Sequence, residues 1–88
     1  MREVDYKGVI VVQIKDEAFD DIEVFEMIVD LDGGNVFVLP TLCKRIFGSD
    51  KYKEIKEALR DEDGIVHASE MSEFFMHVLK ESGQKAKN

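Results

Sequence analysis

The chain has 88 residues, of which 44% are hydrophobic and 35% are charged, and its formal net charge is −7. A chain of this length forms one small domain with a single core. Its acidity argues against nucleic acid and anionic membrane surfaces as partners, because both would repel it, and no apolar stretch reaches the roughly 18 residues that a membrane span requires.

The first element is predicted to be a β-hairpin or strand over residues 2–15. Residues 9–12 form a run of β-branched side chains, and β-branching favours extended backbone. Before this run, residues 3–6 alternate polar and apolar side chains, as a half-buried strand does. Lys7 and Gly8 are placed to form the turn of a hairpin.

A helix is predicted over residues 21–31, with Asp20 or Asp21 as its N-cap, because a short carboxylate side chain accepts hydrogen bonds from the free amides there. Its polar residues Glu23, Glu26 and Asp30 are confined to one stripe, and the rest of its circumference is apolar. Two interpretations are open. The helix is either central and wrapped by the other elements, or part of its apolar arc meets a second subunit or a partner.

Three further helices are predicted, over residues 39–47, 50–60 and 69–81. Gly33-Gly34 ends the preceding helix, and Asn35 is expected to cap the segment that follows. Ser49 and Ser69 are expected to cap the last two helices, and residues 65 and 66 are expected to pack inward. The predicted fold is therefore mainly α, of the α+β type, with a short N-terminal hairpin and about four short helices in one domain over residues 1–82. Residues 83–88 are polar and are expected to form a flexible tail.

The acidic turn is a candidate calcium site, because residues 59–70 align with an EF-hand loop. Asp61, Asp63 and Glu70 take its third, fifth and twelfth positions. The first position, where the ion needs a carboxylate, is Leu59. Leu59 also belongs to the apolar stripe of the preceding helix. A tight acidic turn between two helices explains the same residues, so no metal and no cofactor are expected.

Catalytic chemistry is not indicated. The single cysteine, Cys43, lies on the apolar face of its predicted helix and is interpreted as a small core residue. His67 and His77 have no cysteine or carboxylate at metal-ligand spacing, and the serines have no implied histidine partner. The chain is therefore predicted to be a binding protein and not an enzyme.

The order of elements and turns resembles the small tail assembly chaperones of long-tailed bacteriophages, especially those of Gram-positive hosts. An acidic-capped helix is followed by a Gly-Asn turn, an L-P-x-L helix, F-G-x-D-x-Y, D-E-D-G-x-V and M-S-E-F-F. The resemblance covers about residues 20–82. The matching residues are Asp20, Asp21, Phe25, Leu31, Leu39, Pro40, Leu42, Phe47, Gly48, Tyr52, Leu59, Arg60, Asp63, Gly64, Val66, Met71, Ser72, Phe74 and Phe75.

This resemblance implies a non-enzymatic chaperone that coats the hydrophobic helices of the tape measure protein and helps to recruit tail-tube subunits. It implies a protein of the cytoplasm of the infected or lysogenic bacterium that is absent from the mature virion. Many such proteins also occur as a longer product of a −1 ribosomal frameshift. Residues Ala86-Lys87-Asn88 can be encoded GCA-AAA-AAC, which contains a suitable slippery run.

The wide apolar arc on residues 22–31 and the paired phenylalanines suit a protein that covers apolar helices. The candidate partner-binding residues are Val24, Met27, Ile28, Phe74 and Phe75. A homo-oligomer is also expected, because a domain this small buries a modest core. Two alternatives remain: an EF-hand-like calcium module with a degenerate loop, and a small acidic phage-encoded adaptor or inhibitor.

Overall fold

A computed structural model of the chain describes residues 2–82. It confirms the mainly α, α+β architecture, with an N-terminal hairpin followed by four helices. The elements are β1 (Arg2–Tyr6), β2 (Ile10–Ile14), α1 (Ile22–Asp32), α2 (Leu39–Phe47), α3 (Ser49–Leu59) and α4 (Ala68–Glu81), with 3₁₀ turns at Ala18–Asp20 and Val36–Val38. Each helix begins and ends within one residue of its predicted bounds. The tail expected at residues 83–88 lies outside the described residues.

The hairpin pairs β1 and β2 antiparallel, with Val4 opposite Val12. Its turn contains Lys7 at φ 52° and Gly8 at φ 72°, and both angles lie in the left-handed region that tight hairpin turns require. The Asp5 carboxylate accepts a hydrogen bond from the Gly8 amide at 3.0 Å. Side chains alternate between the two faces of a strand. One face of the hairpin is therefore buried against the helices, and its side chains are Val4, Tyr6, Val12 and Ile14.

Helix α4 joins the hairpin to the other helices. Phe74 and Phe75 are completely buried. The Phe74 ring meets the edge of the Tyr6 ring at a centroid distance of 5.3 Å and the Phe47 ring at 5.8 Å. The Tyr6 hydroxyl donates a hydrogen bond to Glu70 at 3.0 Å. The core therefore includes a continuous series of aromatic contacts from β1 through α4 to α2.

Three local predictions are wrong. Ser49 does not cap α3, because the helix begins at Ser49 itself, directly after Gly48 at φ 89°. Ser69 does not cap α4, which begins one residue earlier and follows the extended residue His67. Ile65 is 49% exposed, because its amide and carbonyl are both hydrogen-bonded to Asp61 and hold it in the turn, outside the core. Asn35 caps its segment as expected, accepting a bond from the Phe37 amide.

Candidate binding surface

Helix α1 lies at the edge of the domain and packs against α2 and the two 3₁₀ turns. Its buried residues are Val24, which is 1% exposed, and Leu31, which is 7% exposed. The interpretation of α1 as a central helix wrapped on all sides is therefore wrong. Only one side of its apolar arc enters the core.

The opposite side of α1 carries three exposed apolar side chains, which we call the α1 seam. Ile22 is 63% exposed, Phe25 54% and Val29 55%. At 100° per residue, the spacing i, i+3, i+7 places them along one line, about half a turn from Val24. The same spacing occurs at the contact positions of paired helices.

The α1 seam is positioned by contacts at the start of the helix. Asp21 is the N-cap and accepts a hydrogen bond from the Glu23 amide at 2.9 Å. From α2, the Arg45 guanidinium binds Asp21 and Glu23, both at 2.8 Å. Arg45 is the main cause of the lowered pKa of Asp21, and the backbone amides of the cap add to it. Together with the burial of Val24 and Leu31 on the opposite side of α1, these contacts hold the start of the helix against α2, so the α1 seam faces outward.

Charge is distributed unevenly around the α1 seam. Helical spacing places Glu26 and Asp30 together on one side of it, and both are exposed. Within residues 2–82 neither forms an ion pair or side-chain hydrogen bond. An apolar line beside unpaired carboxylates favours a partner whose own apolar line is bordered by lysine or arginine.

A second apolar feature is an open groove of about 340 Å³ between the 3₁₀ turn Val36–Val38, α2, α3 and the start of α4. Phe37 stands at its rim and is 88% exposed, the highest value among the large apolar side chains described. The groove is lined by Val36, Phe37, Leu39, Pro40, Tyr52, Lys56, Val66, Ala68 and Met71. Lys56 is its one charged lining residue, and the Lys56 ammonium lies 4.8 Å from the centroid of the Tyr52 ring.

The structure places most of the predicted partner-binding residues elsewhere. Val24, Phe74 and Phe75 are in the core, so they contact no partner while the domain is folded. Met27 and Ile28 are half-buried at the border between the core side of α1 and its outer side. The candidate binding surfaces are therefore the α1 seam and the groove beside Phe37, and not the residues predicted from the sequence.

The acidic turn between α3 and α4 is held together by its own backbone. The Asp61 carboxylate accepts hydrogen bonds from the amides of Asp63 at 2.8 Å and Ile65 at 2.9 Å, and it lies 2.8 Å from His67 Nε2. These bonds, led by the one from Ile65, lower the pKa of Asp61. Glu70 points instead to the Tyr6 hydroxyl. Within residues 2–82 no cluster of three or more His, Cys, Asp or Glu side chains is arranged to hold a metal ion.

The thiol of Cys43 is fully buried on the core side of α2. Burial disfavours the charged thiolate and raises the pKa of Cys43 to about 12. The thiol is therefore in its protonated form near neutral pH and behaves as a small apolar side chain, as interpreted from the sequence.

Comparison of the chain with protein-family models, with curated proteins and with solved structures found no match. Among the helices of residues 2–82, none is long and apolar enough to cross a bilayer.

Proposed function

We propose that the protein is a tail assembly chaperone that binds amphipathic helices of a phage tape measure protein through the α1 seam and helps to recruit tail-tube subunits. The observation that carries the proposal is the seam itself: three apolar side chains at i, i+3, i+7 on one side of α1, each more than half exposed. A long helix with an apolar stripe is the complementary shape for such a line. The resemblance in the order of elements and turns supplies the identity of the client.

The carboxylates beside the α1 seam favour one class of client helix over others. Glu26 and Asp30 lie along one side of the seam. A client helix whose apolar stripe is bordered by basic residues gains favourable pairs at this border, whereas an acidic border is repelled. The proposal therefore predicts preferential binding to the basic-flanked segments of a tape measure protein.

Co-expression with the tagged tape measure protein of the same phage or prophage genome tests the proposal. The wild-type chain should co-purify with it. The variant Ile22→Ser/Phe25→Ser/Val29→Ser should bind at least about a hundredfold more weakly, because each apolar side chain contributes on the order of 1 kcal/mol or more when buried. A matched control is Val11→Ser on the outer face of β2, where Val11 is 43% exposed; it should bind normally.

Two results would contradict the proposal. Equal binding by the triple variant would remove the α1 seam as the client surface. Absence of binding by a folded wild-type chain would remove the chaperone function itself. The nucleotide sequence gives an independent check, because a slippery run at the codons of residues 86–88, followed by an overlapping −1 frame, is expected of this class of protein.

A further inference from the structure

The groove beside Phe37 combines a protruding aromatic ring and an apolar recess on the same face of one molecule. Phe37 is 88% exposed and lines the rim of a groove of about 340 Å³. A recess of this volume is within the range that accommodates a ligand or a large side chain. Because the ring stands at the rim, it leaves the recess of its own chain open.

We propose that this groove receives Phe37 of a second copy of the chain, in a two-fold symmetric dimer. In such a dimer each surface patch meets the same patch of the partner, so a protrusion adjacent to a recess is self-complementary. Each chain then inserts one ring and receives one ring. The inference concerns a surface separate from the α1 seam and does not depend on the proposed client.

The charge at the groove is also opposite in sign to the charge near Phe37. Lys56 lies at the groove, over the Tyr52 ring. Asp32 is at the C-terminal end of α1, where the helix dipole makes negative charge unfavourable. The amide of Asn35, two residues before Phe37, is bonded to the Asp30 carbonyl at 2.9 Å, so the backbone near Phe37 lies close to this helix end. A second copy that inserts Phe37 therefore brings the Asp32 carboxylate toward Lys56, which offsets its unfavourable position.

The area involved is smaller than that of a standard interface, as in a weak, reversible dimer. An aromatic side chain buries on the order of 150–250 Å², so the two rings together with Val36, which is 45% exposed, supply the central contact of a small interface. Standard interfaces bury about 800 Å² on each partner. The expected complex is therefore a dimer that dissociates on dilution.

Sedimentation equilibrium over a dilution series, combined with isotope-filtered NMR on a mixture of labelled and unlabelled chains, tests the inference. The wild-type chain should dimerise, with intermolecular contacts between the Phe37 ring and the methyl groups of Val66 and Met71. Phe37→Ser should raise the dimer dissociation constant at least about a hundredfold, since both copies of a central side chain are lost. Phe25→Ser, on the α1 seam, should leave dimerisation unchanged.

A charge exchange adds a test of orientation. Lys56→Glu should weaken the dimer by roughly threefold to tenfold, and adding Asp32→Lys to the same chain should restore it. A wild-type chain that stays monomeric at millimolar concentration would overturn the inference, as would a dimer insensitive to Phe37→Ser. If Phe37→Ser instead abolished binding of the tape measure protein to a monomer, the groove would belong to the client.

Discussion

The pair Phe74 and Phe37 offers the sharpest test of the structure, because the two residues are chemically identical and oppositely placed. Phe74 is 0% exposed and contacts the rings of Tyr6 and Phe47, whereas Phe37 is 88% exposed. Phe74→Ala removes a fully buried ring and leaves a cavity, which costs about 3–5 kcal/mol. Phe37→Ala removes a ring with about a tenth of its surface buried, so its cost is about 0.5 kcal/mol.

These costs translate into clearly different unfolding curves. A small domain has a total stability of about 5–15 kcal/mol, and each kcal/mol shifts its melting temperature by about 4–8 °C. Urea denaturation followed by circular dichroism, at a concentration where the chain is monomeric, measures both variants. If Phe74→Ala fails to fold, Phe74→Leu is the substitute, with an expected cost of about 1–2 kcal/mol. Equal destabilisation by the two alanine variants would refute the assignment of Phe74 to the core and of Phe37 to the surface.

Three further predictions concern chemistry of single residues. Titration calorimetry at millimolar calcium should show no saturable site, because Leu59 occupies the first ligand position and is buried; a clear site involving Asp61 and Glu70 would favour the sensor alternative. Cys43 should resist a thiol reagent at pH 8 in the folded protein and react rapidly in denaturant, since its pKa is about 12; fast labelling of the native state would contradict its burial. The folded pKa of Asp61 is lowered from its ordinary value of 3.8, so its stabilising contribution is present above that value and is lost as the pH falls through the folded pKa. Asp61→Asn should therefore be less stable than wild type at pH 7, and the difference should shrink as the pH falls below 3.8 and through the folded pKa.

For helices with a single apolar stripe, the sequence predicts both the helix and the residues that it buries. In α3 the apolar residues Tyr52, Ile55, Ala58 and Leu59 lie at helical spacing and predict one stripe facing the core. Tyr52, Ile55 and Leu59 are buried and Ala58 is partly buried, because a helix with one stripe has one way to face the core. The polar cap of α1 and the glycine-rich break after it were also predictable, since Asp21 and Gly34 satisfy local backbone requirements that do not depend on the rest of the fold.

The buried side of α1 could not be predicted in the same way. Its apolar arc covers most of the circumference, so periodicity does not distinguish Val24, which is buried, from Phe25, which is exposed. The choice is made by the position of α2, a tertiary contact. The adjacent pair on α4 shows the converse: Phe74 and Phe75 point about 100° apart, and both are buried because α4 is in contact with β1 as well as with α2 and α3. Sequence reasoning assigned that pair to a partner because it did not anticipate a helix covered on two sides.

Phe37 was missed because it lies among three consecutive apolar residues between two helices, where no periodicity indicates which side chain is exposed. Its exposure follows from how the segment is fixed. The Asn35 side chain accepts a hydrogen bond from the Phe37 amide at 3.2 Å, and Leu39, two residues later, is buried with 3% exposure. The backbone is therefore held on both sides of Phe37, and the ring is directed outward before any partner arrives. The α1 seam is held by the burial of Val24 on the opposite side of the helix, to which the Arg45 contacts with Asp21 add. Binding at either surface would require little ordering of the chain, and a small interface loses less affinity when its contact residues are already in place.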